Sequence, residues 1–460
     1  MPIQKLLIAN RGEIAVRIIR AARELGIRTV QVHSAADADS LAVRLADEAV
    51  LIGPPAASKS YLKVDAILDA ARATGADAVH PGYGFLAENA DFADAVEAAG
   101  MVWVGPKGDA IRVMGDKVAA RIAAESAGVP VVPGSDGRID DPEQARIVAL
   151  AIGFPVMIKA AAGGGGRGIR IAHDAEEFER LMPQASAEAK AAFGDGGLYL
   201  EKVIERARHI EVQILGDGTR AVHCFERECS LQRRRQKVWE EAPSAVLPQA
   251  LREKLCASAV ALAEAVGYRG AGTLEYLYDD ATGHFYFIEM NTRIQVEHPV
   301  TEMITGIDLV REMIRIAGGE PLRLRQDDIR RTGHAIEVRI CAEDPAKSFQ
   351  PAPGTVSALT VPGGAGVRFD TMLYQGYTVP PFYDSLLGKL IVWDEDRPAA
   401  IARMARALEE LTVEGLPTTK PLHQLLARDA EVAAAAFHTR WLEPWLDQNA
   451  HRLGTKETTE

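Results

Sequence analysis

Cysteine is scarce in this chain: four residues in 460, at Cys224, Cys229, Cys256 and Cys341, with no Cys-x-x-Cys pair. That spacing argues against a disulfide framework or a cysteine metal centre and leaves buried free thiols as the expectation. Long apolar runs are missing too. Nothing approaches the ~20 apolar residues of a membrane span, and the apolar stretch within Met1–Arg11 is too short for a secretory signal, so the expectation is a cytoplasmic protein with no membrane association. Positive charge is in deficit. The formal net charge of −12 disfavours nucleic acid as a partner, and an anionic substrate would need a locally basic site. No Gly-x-Gly-x-x-Gly follows the first predicted strand and no Gly-x-x-x-x-Gly-Lys-Ser/Thr occurs, so dinucleotide oxidoreductase and P-loop readings lose their main support.

What is present is ordinary globular composition, 47% hydrophobic and 25% charged, in a chain long enough for two or three domains. Leu6–Ala9 reads as a strand, and Ile14, Ile18, Ala22 and Leu25 recur at helical spacing until Gly26. The alternation continues through a strand at Thr29–Val32, a helix over Val64–Thr74, and short strands at Ala78–His80 and Val102–Gly105. This pattern predicts an α/β domain over residues 1–113, with a parallel sheet flanked by helices. Such sheets bind ligands at the carboxyl ends of their strands, which makes Asn10-Arg11-Gly12-Glu13 and His80-Pro81-Gly82-Tyr83-Gly84-Phe85 site candidates, with ordinary turn chemistry an equal alternative. A helical connector is expected over 114–130, a smaller module over 131–204 and a mixed segment over 205–446. A polar tail follows over 447–460, fraying from Asn449.

The densest chemistry lies in Phe287–His298, where two acids, two amides, a guanidinium and an imidazole fall within the ten residues Glu289–His298. The run Phe285–Ile288 reads as a buried strand, so Glu289 and Asn291, two apart, share one side of it. Glu275 lies in a similar run, Gly272–Tyr278, across a turn at 279–283, and the two runs read as a hairpin. Facing carboxylates about 4 Å apart repel by roughly 4 kcal/mol at an effective dielectric near 20, so a cation is expected between Glu275 and Glu289. Oxygen donors from Glu and Asn suit Mg²⁺ or Mn²⁺ holding nucleotide phosphates. The alternative is that Arg293 pairs with one acid and the rest is solvated.

Upstream, the strand Phe154–Lys159 leads into the four successive glycines Gly163–Gly166. Their unshielded N–H groups can close around phosphate oxygens, with Lys159 adding a point charge; a flexible hairpin turn is the alternative. Leu198–Glu205 is a strand ending in charges whose exposed backbone edge can pair with adenine, although any half-exposed strand looks the same. His209, Glu211 and Gln213 alternate with Ile210, Val212 and Ile214 as the polar face of a strand, where a lone His is more often structural. The basic run Gln232–Lys237 is unusual in so acidic a chain. Its neighbours Leu231, Val238 and Trp239 allow part of it to reach an anion site near the hairpin, solvated charge being the usual alternative. Glu337 and Arg339 share one face of the strand Ala335–Ile340 and can equally form a structural ion pair.

Lys117, Lys159 with its glycine run, Glu201-Lys202, Glu275 and Glu289–His298 together resemble the ATP-grasp enzymes and, more narrowly, the biotin carboxylase family. The likeness covers residues 3–445 and includes Ile8–Ala15, His80–Leu86, Met114–Lys117, Tyr268–Thr273 and Gly376–Pro381. It implies an α/β ATP-grasp fold with a Rossmann-like N-terminal domain, a mobile glycine-rich lid and a C-terminal mixed α+β domain. It also implies ATP-driven carboxylation of biotin by bicarbonate through carboxyphosphate. Under this resemblance Lys117, Lys159, Gly165, Gly166 and His209 would hold ATP phosphates or ribose, and Glu201, Lys202, Val203 and Ile204 would frame the adenine. Glu275, Glu289 and Asn291 would hold Mg²⁺ or Mn²⁺. Lys237, Arg293, Val296 and Glu297 would surround bicarbonate, with Glu297 as general base, and Arg339 would stabilise the biotin enolate.

One residue departs from the pattern: Arg235 stands where well-known bacterial members carry His two residues before the bicarbonate lysine. Its permanent charge can still contact ATP phosphate but does not titrate near neutral pH. The motif Glu226–Ser230 resembles that of acyl-CoA carboxylase α chains, pointing to acetyl-CoA or another acyl-CoA as final acceptor. No Ala-Met-Lys-Met site occurs, so biotin is expected on a separate carboxyl carrier protein, with carboxyltransferase subunits beyond it. Related subunits are usually homodimers. Two rival readings are an ATP-grasp ligase for a different carboxylate and a catalytically silent scaffold. The scaffold expects missing metal or bicarbonate residues, whereas Glu275, Glu289, Asn291, Arg293 and Glu297 are all present.

Overall fold

The computed structural model describes residues 2–160, 170–193 and 196–453. Gly165, Gly166 and the rest of the glycine run lie outside the described residues. The chain divides into two compact units, a larger one of Met1–Val129, Arg208–Tyr276 and Glu289–Glu460 and a smaller one of Pro130–Ala207 and Leu277–Ile288.

The larger unit opens with β1 (Lys5–Ile8), β2 (Arg28–Ser34), β3 (Glu48–Gly53), β4 (Ala78–His80) and β5 (Val102–Trp103), which form a parallel sheet in the order β3-β2-β1-β4-β5. The surroundings of β1 explain why Leu6–Ala9 is continuously apolar. Leu6 and Ile8 enter one core with Ile14, Ile18, Leu215 and Met313, while Leu7 and the following Ala9 enter another with Val30, Ile67, Phe92 and Trp103. Both faces of the strand are covered, as parallel sheets require. The first helix, Gly12–Glu24, buries Ile14, Ile18 and Ala22 and gives way at Gly26, whose φ of +72° suits glycine.

The order reverses on either side of β1, so the crevice between the carboxyl ends of β1 and β4 is a topological switch point. There Asn10 Nδ2 donates to the carbonyls of Pro81 (2.6 Å) and Tyr83 (2.7 Å). Gly82 must be glycine: its φ is +62°, and a Cβ would sit 2.9 Å from Asn10 Nδ2. Strand β3 was not apparent in the sequence. It is an edge strand with most of its residues exposed or half-exposed, Leu51 among them, so it carries little apolar signal.

In the smaller unit β6 (Val156–Ala160), β7 (Arg170–Ala172) and β8 (Leu198–Lys202) form an antiparallel sheet in the order β7-β6-β8. Helices Pro142–Ile152 and Ala175–Phe193 cover it through Ala149, Val156, Ile158, Phe178 and Leu200.

A long sheet begins with β9 (Ala207–Asp217), β10 (Ala221–Arg233), β11 (Gln236–Ala242), β12 (Arg269–Asp279), β13 (His284–Asn291) and β14 (His334–Cys341). Short ladders pair β15 (Glu343–Asp344) with β16 (Gln350–Pro351) and β17 (Ala358–Thr360) with a strand near residue 413. After β18 (Val367–Thr371) and β19 (Leu386–Asp394), the sheet order is β13-β12-β9-β10-β11-β14-β19-β18, and every pairing from β9 to β18 is antiparallel.

The hairpin expected around 279–283 is present as the neighbours β12 and β13. Its second strand is not the uniformly buried run anticipated: Phe285 and Phe287 are buried, but Ile288 is exposed, so the strand alternates. The basic run forms the tip of the β10–β11 hairpin. Arg233 pairs with Gln236 across Arg234 and Arg235, both at positive φ (+47° and +68°). Near the C-terminus, helix Leu442–Leu453 continues past Asn449, where polar composition had indicated fraying, because Leu446 and Leu453 dock it to the core. Cys224, Cys229 and Cys256 are buried free thiols and Cys341 is half-buried. Among the described residues no helix is long and apolar enough to cross a membrane.

Candidate active site

Alternation along neighbouring strands puts a row of polar side chains on one face of the long sheet. From β12 come Thr273 and Glu275, from β9 His209, Glu211 and Gln213, from β10 Arg227, from β11 Lys237 and from β14 Arg339. The polar face of β9 is not solvated: all three of its residues are buried. The segment after β13, Thr292–Glu297, completes the site.

Lys237 is its hub. The ammonium donates to Glu211 (2.5 Å), Glu297 (2.6 Å) and Glu275 (2.9 Å), using all three of its hydrogens on carboxylates. Burial alone would favour the neutral amine, but Glu211, Glu297 and Glu275 push its pKa well above the usual lysine range. Beneath it the guanidinium of Arg227, fully buried, donates to Glu211 (2.6 Å), Gln213 (2.7 Å), Gln295 (2.9 Å), Thr301 (3.0 Å) and Thr273 (3.1 Å). Those five bonds match its five N–H groups, which is what makes a buried guanidinium tolerable.

The cation expected beside Glu275 is therefore supplied by the protein, as Lys237 and His209. His209 Nε2 lies 3.1 Å from Glu275 and 3.5 Å from Glu211. Burial opposes its charge, yet Glu275 carries its pKa up to about 9, so it is an imidazolium at neutral pH. Glu275 also accepts from Gln295 Nε2 (2.9 Å) and Asn291 Nδ2 (3.0 Å). Glu289 differs. Its carboxylate makes no hydrogen bond or ion pair among the described residues, and burial followed by the like charge of Glu275 raises its pKa, only partly relieved by Lys117. The alternative in which Arg293 pairs with Glu275 or Glu289 is not what the structure shows: Arg293 Nε binds Glu88 (2.8 Å), and Nη2 binds Asn291 Oδ1 (2.8 Å).

A divalent cation fits this end of the site. The Glu289 carboxylate, within the field of Glu275, offers with Glu275 and the Asn291 amide oxygen the hard oxygen donors that Mg²⁺ or Mn²⁺ takes. His209, Glu211 and Glu275 also bring possible ligand atoms within 4.8 Å of one another among the described residues.

At the other end, Glu297 accepts from Lys237 through Oε1 and from Arg339 Nη2 (3.0 Å) through Oε2, while Arg339 Nε binds Glu240 (2.6 Å). The ion pair entertained between Arg339 and Glu337 does not form. Glu337 is fully buried with both oxygens unbonded, and burial pushes its carboxyl pKa well up.

Three family models match in succession: the biotin carboxylase N-terminal domain over residues 2–111, the carbamoyl-phosphate synthase L chain ATP-binding domain over 116–325, and the biotin carboxylase C-terminal domain over 337–444. The biotin carboxylase of Pseudomonas aeruginosa is 54% identical over 451 residues, 98% of this chain and 100% of that protein. The chain belongs to the biotin carboxylase family. Among solved structures, the biotin carboxylase domain of a thermophilic 2-oxoglutarate carboxylase bound to bicarbonate superposes with a TM-score of 0.93 at 46% identity, covering 99% of this chain and 100% of that one. The dimer of the corresponding Hydrogenobacter thermophilus domain, in complex with MgADP, ADP and bicarbonate, gives 0.87 at 48% identity with the same coverage.

For a biotin carboxylase, the larger unit brings together His209, Lys237, Glu275, Glu289, Asn291, Arg293, Val296, Glu297 and Arg339, with Lys117 exposed on the first turn of helix Lys117–Ser126. In the smaller unit Lys159 is ion-paired with Glu201, and Lys202 Nζ binds the carbonyls of Phe154 (2.7 Å) and Gly153 (2.8 Å). The backbone edge beyond β8 is less open than expected: the amides of Lys202 and Val203 donate to Pro133 (2.8 Å) and Pro155 (3.0 Å). Val203 is buried and Ile204 half-buried. Arg235 is exposed at the hairpin tip, outside the Lys237 cluster. Glu211, Arg227, Gln295, Glu240 and Glu88 are site residues whose roles were not apparent from the sequence. Only the period-2 alternation around His209 signalled Glu211.

Proposed function

We propose that the two ends of this site divide the work of ATP-dependent biotin carboxylation, with Glu275, Glu289 and Asn291 at the metal and phosphate end and Lys237, Arg293, Val296 and Glu297 at the bicarbonate end. The observation that carries this reading is the placement of Glu297 between Lys237 and Arg339. The enzyme is an ATP-dependent ligase. Bicarbonate attacks the γ-phosphate of ATP, displacing ADP, to give carboxyphosphate; this breaks down to CO₂ and phosphate, the phosphate takes the ureido N–H proton of biotin, and the nitrogen bonds to the CO₂.

Bicarbonate is a weak nucleophile, and Glu297 removes its proton as the attack proceeds, a contribution typically worth 10²–10⁴ in rate. Without substrate, burial works against the charged form of Glu297, but Lys237, Arg339 and Arg227 hold its pKa below the usual range. A poor base results. An anion drawing Lys237 and Arg339 toward itself releases Glu297 from those cations and strengthens it as a base at the moment it is needed. Mg²⁺ or Mn²⁺, when bound, supplies neutralisation of phosphate charge that would repel the anionic attacker. His209 as an imidazolium, Lys117 and Lys159 add positive charge for the ATP phosphates, with Glu201, Lys202, Val203 and Ile204 around the adenine. Arg339 then serves the second half of the reaction by stabilising the oxyanion of deprotonated biotin.

Biotin reaches the site on a carrier protein, and the chain works as a homodimer alongside carboxyltransferase subunits, in the cytoplasm. The acyl-CoA acceptor, acetyl-CoA or a relative, rests on resemblance alone. Glu226–Ser230 is buried, with Arg252 on Glu226 (2.7 Å) and Arg208 on Glu228 (2.8 Å), so this motif is an internal brace that no acceptor touches.

The test is ATP cleavage measured with and without bicarbonate and free biotin. Cleavage is expected to depend on bicarbonate and to be stimulated by biotin. Bicarbonate-independent cleavage driven by another carboxylic acid would contradict the reading.

A further inference from the structure

Two of the motifs singled out in the sequence, Asn10–Glu13 and His80–Phe85, take no part in the chemistry above, yet both lead to one buried ammonium group. Lys389 on β19 is 0% exposed. Its Nζ donates to the carbonyl oxygen of Val296 at 2.7 Å and lies 3.2 Å from Glu13 Oε1, the oxygen that also accepts from the hydroxyl of Tyr83. Its ladder partner on β18, Asp370, is committed to Arg368 at 2.5 Å. Glu13 is thus the carboxylate in ion-pair contact with Lys389, with the buried Glu337 and Asp370 also in the field of the ammonium, and the Asn10 bonds to Pro81 and Tyr83 hold the two N-terminal motifs together around that pair. A lysine buried this completely is costly, and the neighbours Leu387, Leu390 and Ile391, all 0% exposed, show that the strand otherwise takes apolar side chains.

What Lys389 holds explains its presence. The Val296 carbonyl belongs to the peptide that joins Val296 to Glu297, three residues beyond Arg293. In a trans peptide, fixing the C=O also fixes the direction of the N–H on the far side and the start of the next residue. The ammonium therefore sets the plane from which Glu297 leaves the chain. We propose that Lys389 is a positioning residue for bicarbonate use, pinning the Val296 carbonyl so that the Arg293–Glu297 segment presents its base and cation in register, with Glu13 and Tyr83 as the anchor of that pin. The inference rests on the bicarbonate reading of Arg293, Val296 and Glu297.

The experiment compares steady-state kinetics of the full-length protein with those of Lys389→Met, close in size and uncharged, and of Glu297→Gln. Lys389→Met is expected to raise the KM for bicarbonate about tenfold, equivalent to about 1.4 kcal/mol, while the KM for ATP stays within about twofold. An unchanged bicarbonate KM, or equal rises for ATP and bicarbonate as a merely structural lysine would give, overturns the proposal. If Lys389→Met does not fold, Glu13→Gln decides: it keeps the shape and the Tyr83 contact but removes the charge of the carboxylate paired with the ammonium. A rise of about threefold or more in the bicarbonate KM alone supports the pin, and no change overturns it. The Glu297→Gln arm separates the two levels of argument. Retained bicarbonate-dependent cleavage there refutes the site reading and the pin with it. Lost cleavage in Glu297→Gln beside an unchanged bicarbonate KM in Lys389→Met refutes the pin alone.

Discussion

Arg339 Nη2 and Glu297 Oε2 are 3.0 Å apart, so the cation assigned to biotin and the base assigned to bicarbonate are bonded to each other before either substrate arrives. The two half-reactions thus share a residue pair. Arg339→Ala is expected to lower biotin carboxylation by about 10²–10³, the usual cost of losing one oxyanion donor, with a smaller effect on bicarbonate-dependent ATP cleavage. Arg339→Lys should not restore the rate, because Glu240 and Glu297 engage two different nitrogens of the guanidinium. Product analysis of biotin carboxylation against ADP release checks both.

The metal end rests on Glu289, whose carboxylate has no partner among the described residues and feels the like charge of Glu275. Glu289→Gln should raise the Mg²⁺ concentration for half-maximal activity about tenfold, since the charged oxygen donor is replaced by a neutral one. A Mg²⁺ titration superimposable on wild type would remove Glu289 from the metal site.

Arg235 lies at an exposed turn, from which its charge is expected to reach an ATP phosphate through solvent. Exposed charge pairs are worth about 0.2–1 kcal/mol, so Arg235→His should change the KM for ATP by less than about fivefold and leave that for bicarbonate unchanged. A tenfold or larger change in either would place Arg235 in direct contact with a substrate.

Acid stability should report the ion pairs behind the site. Burial opposes the charged form of Asp370, but Arg368 holds its pKa down to about 2, below the unfolded value near 3.8. The folded state binds fewer protons in that window, so the pair's contribution is present above about pH 4 and is lost as pH falls toward 2. By linkage it amounts to about 2 kcal/mol at most. Denaturant unfolding of Asp370→Asn at a series of pH values should show a shallower loss over this range than wild type; parallel curves would mean that Asp370 carries no such shift.

The parallel sheet was legible because β1 and β4 are apolar on both faces, a pattern with few alternatives, whereas the half-exposed β3 left almost no trace. In the site, Glu275 and the Glu289–Glu297 segment announced themselves by local density, and Lys237 by an unexpected basic run. Arg227 did not. In Glu226-Arg227-Glu228 a guanidinium between two acids looks like surface charge, and only its partners at 211, 213, 273, 295 and 301 show it to be the floor of the site. Glu240, Glu88 and Lys389 were missed for the same reason. Their meaning lies in contacts across strands and loops distant in sequence, which no local spacing encodes.

The central claim is that Glu297, set between Lys237 and Arg339, is the base that activates bicarbonate. Its most direct test is the bicarbonate-dependent rate of ATP cleavage by Glu297→Gln at saturating MgATP. A fall of about 10²–10⁴ with the KM for ATP within about threefold of wild type is the predicted result. A rate within about threefold of wild type would contradict the account.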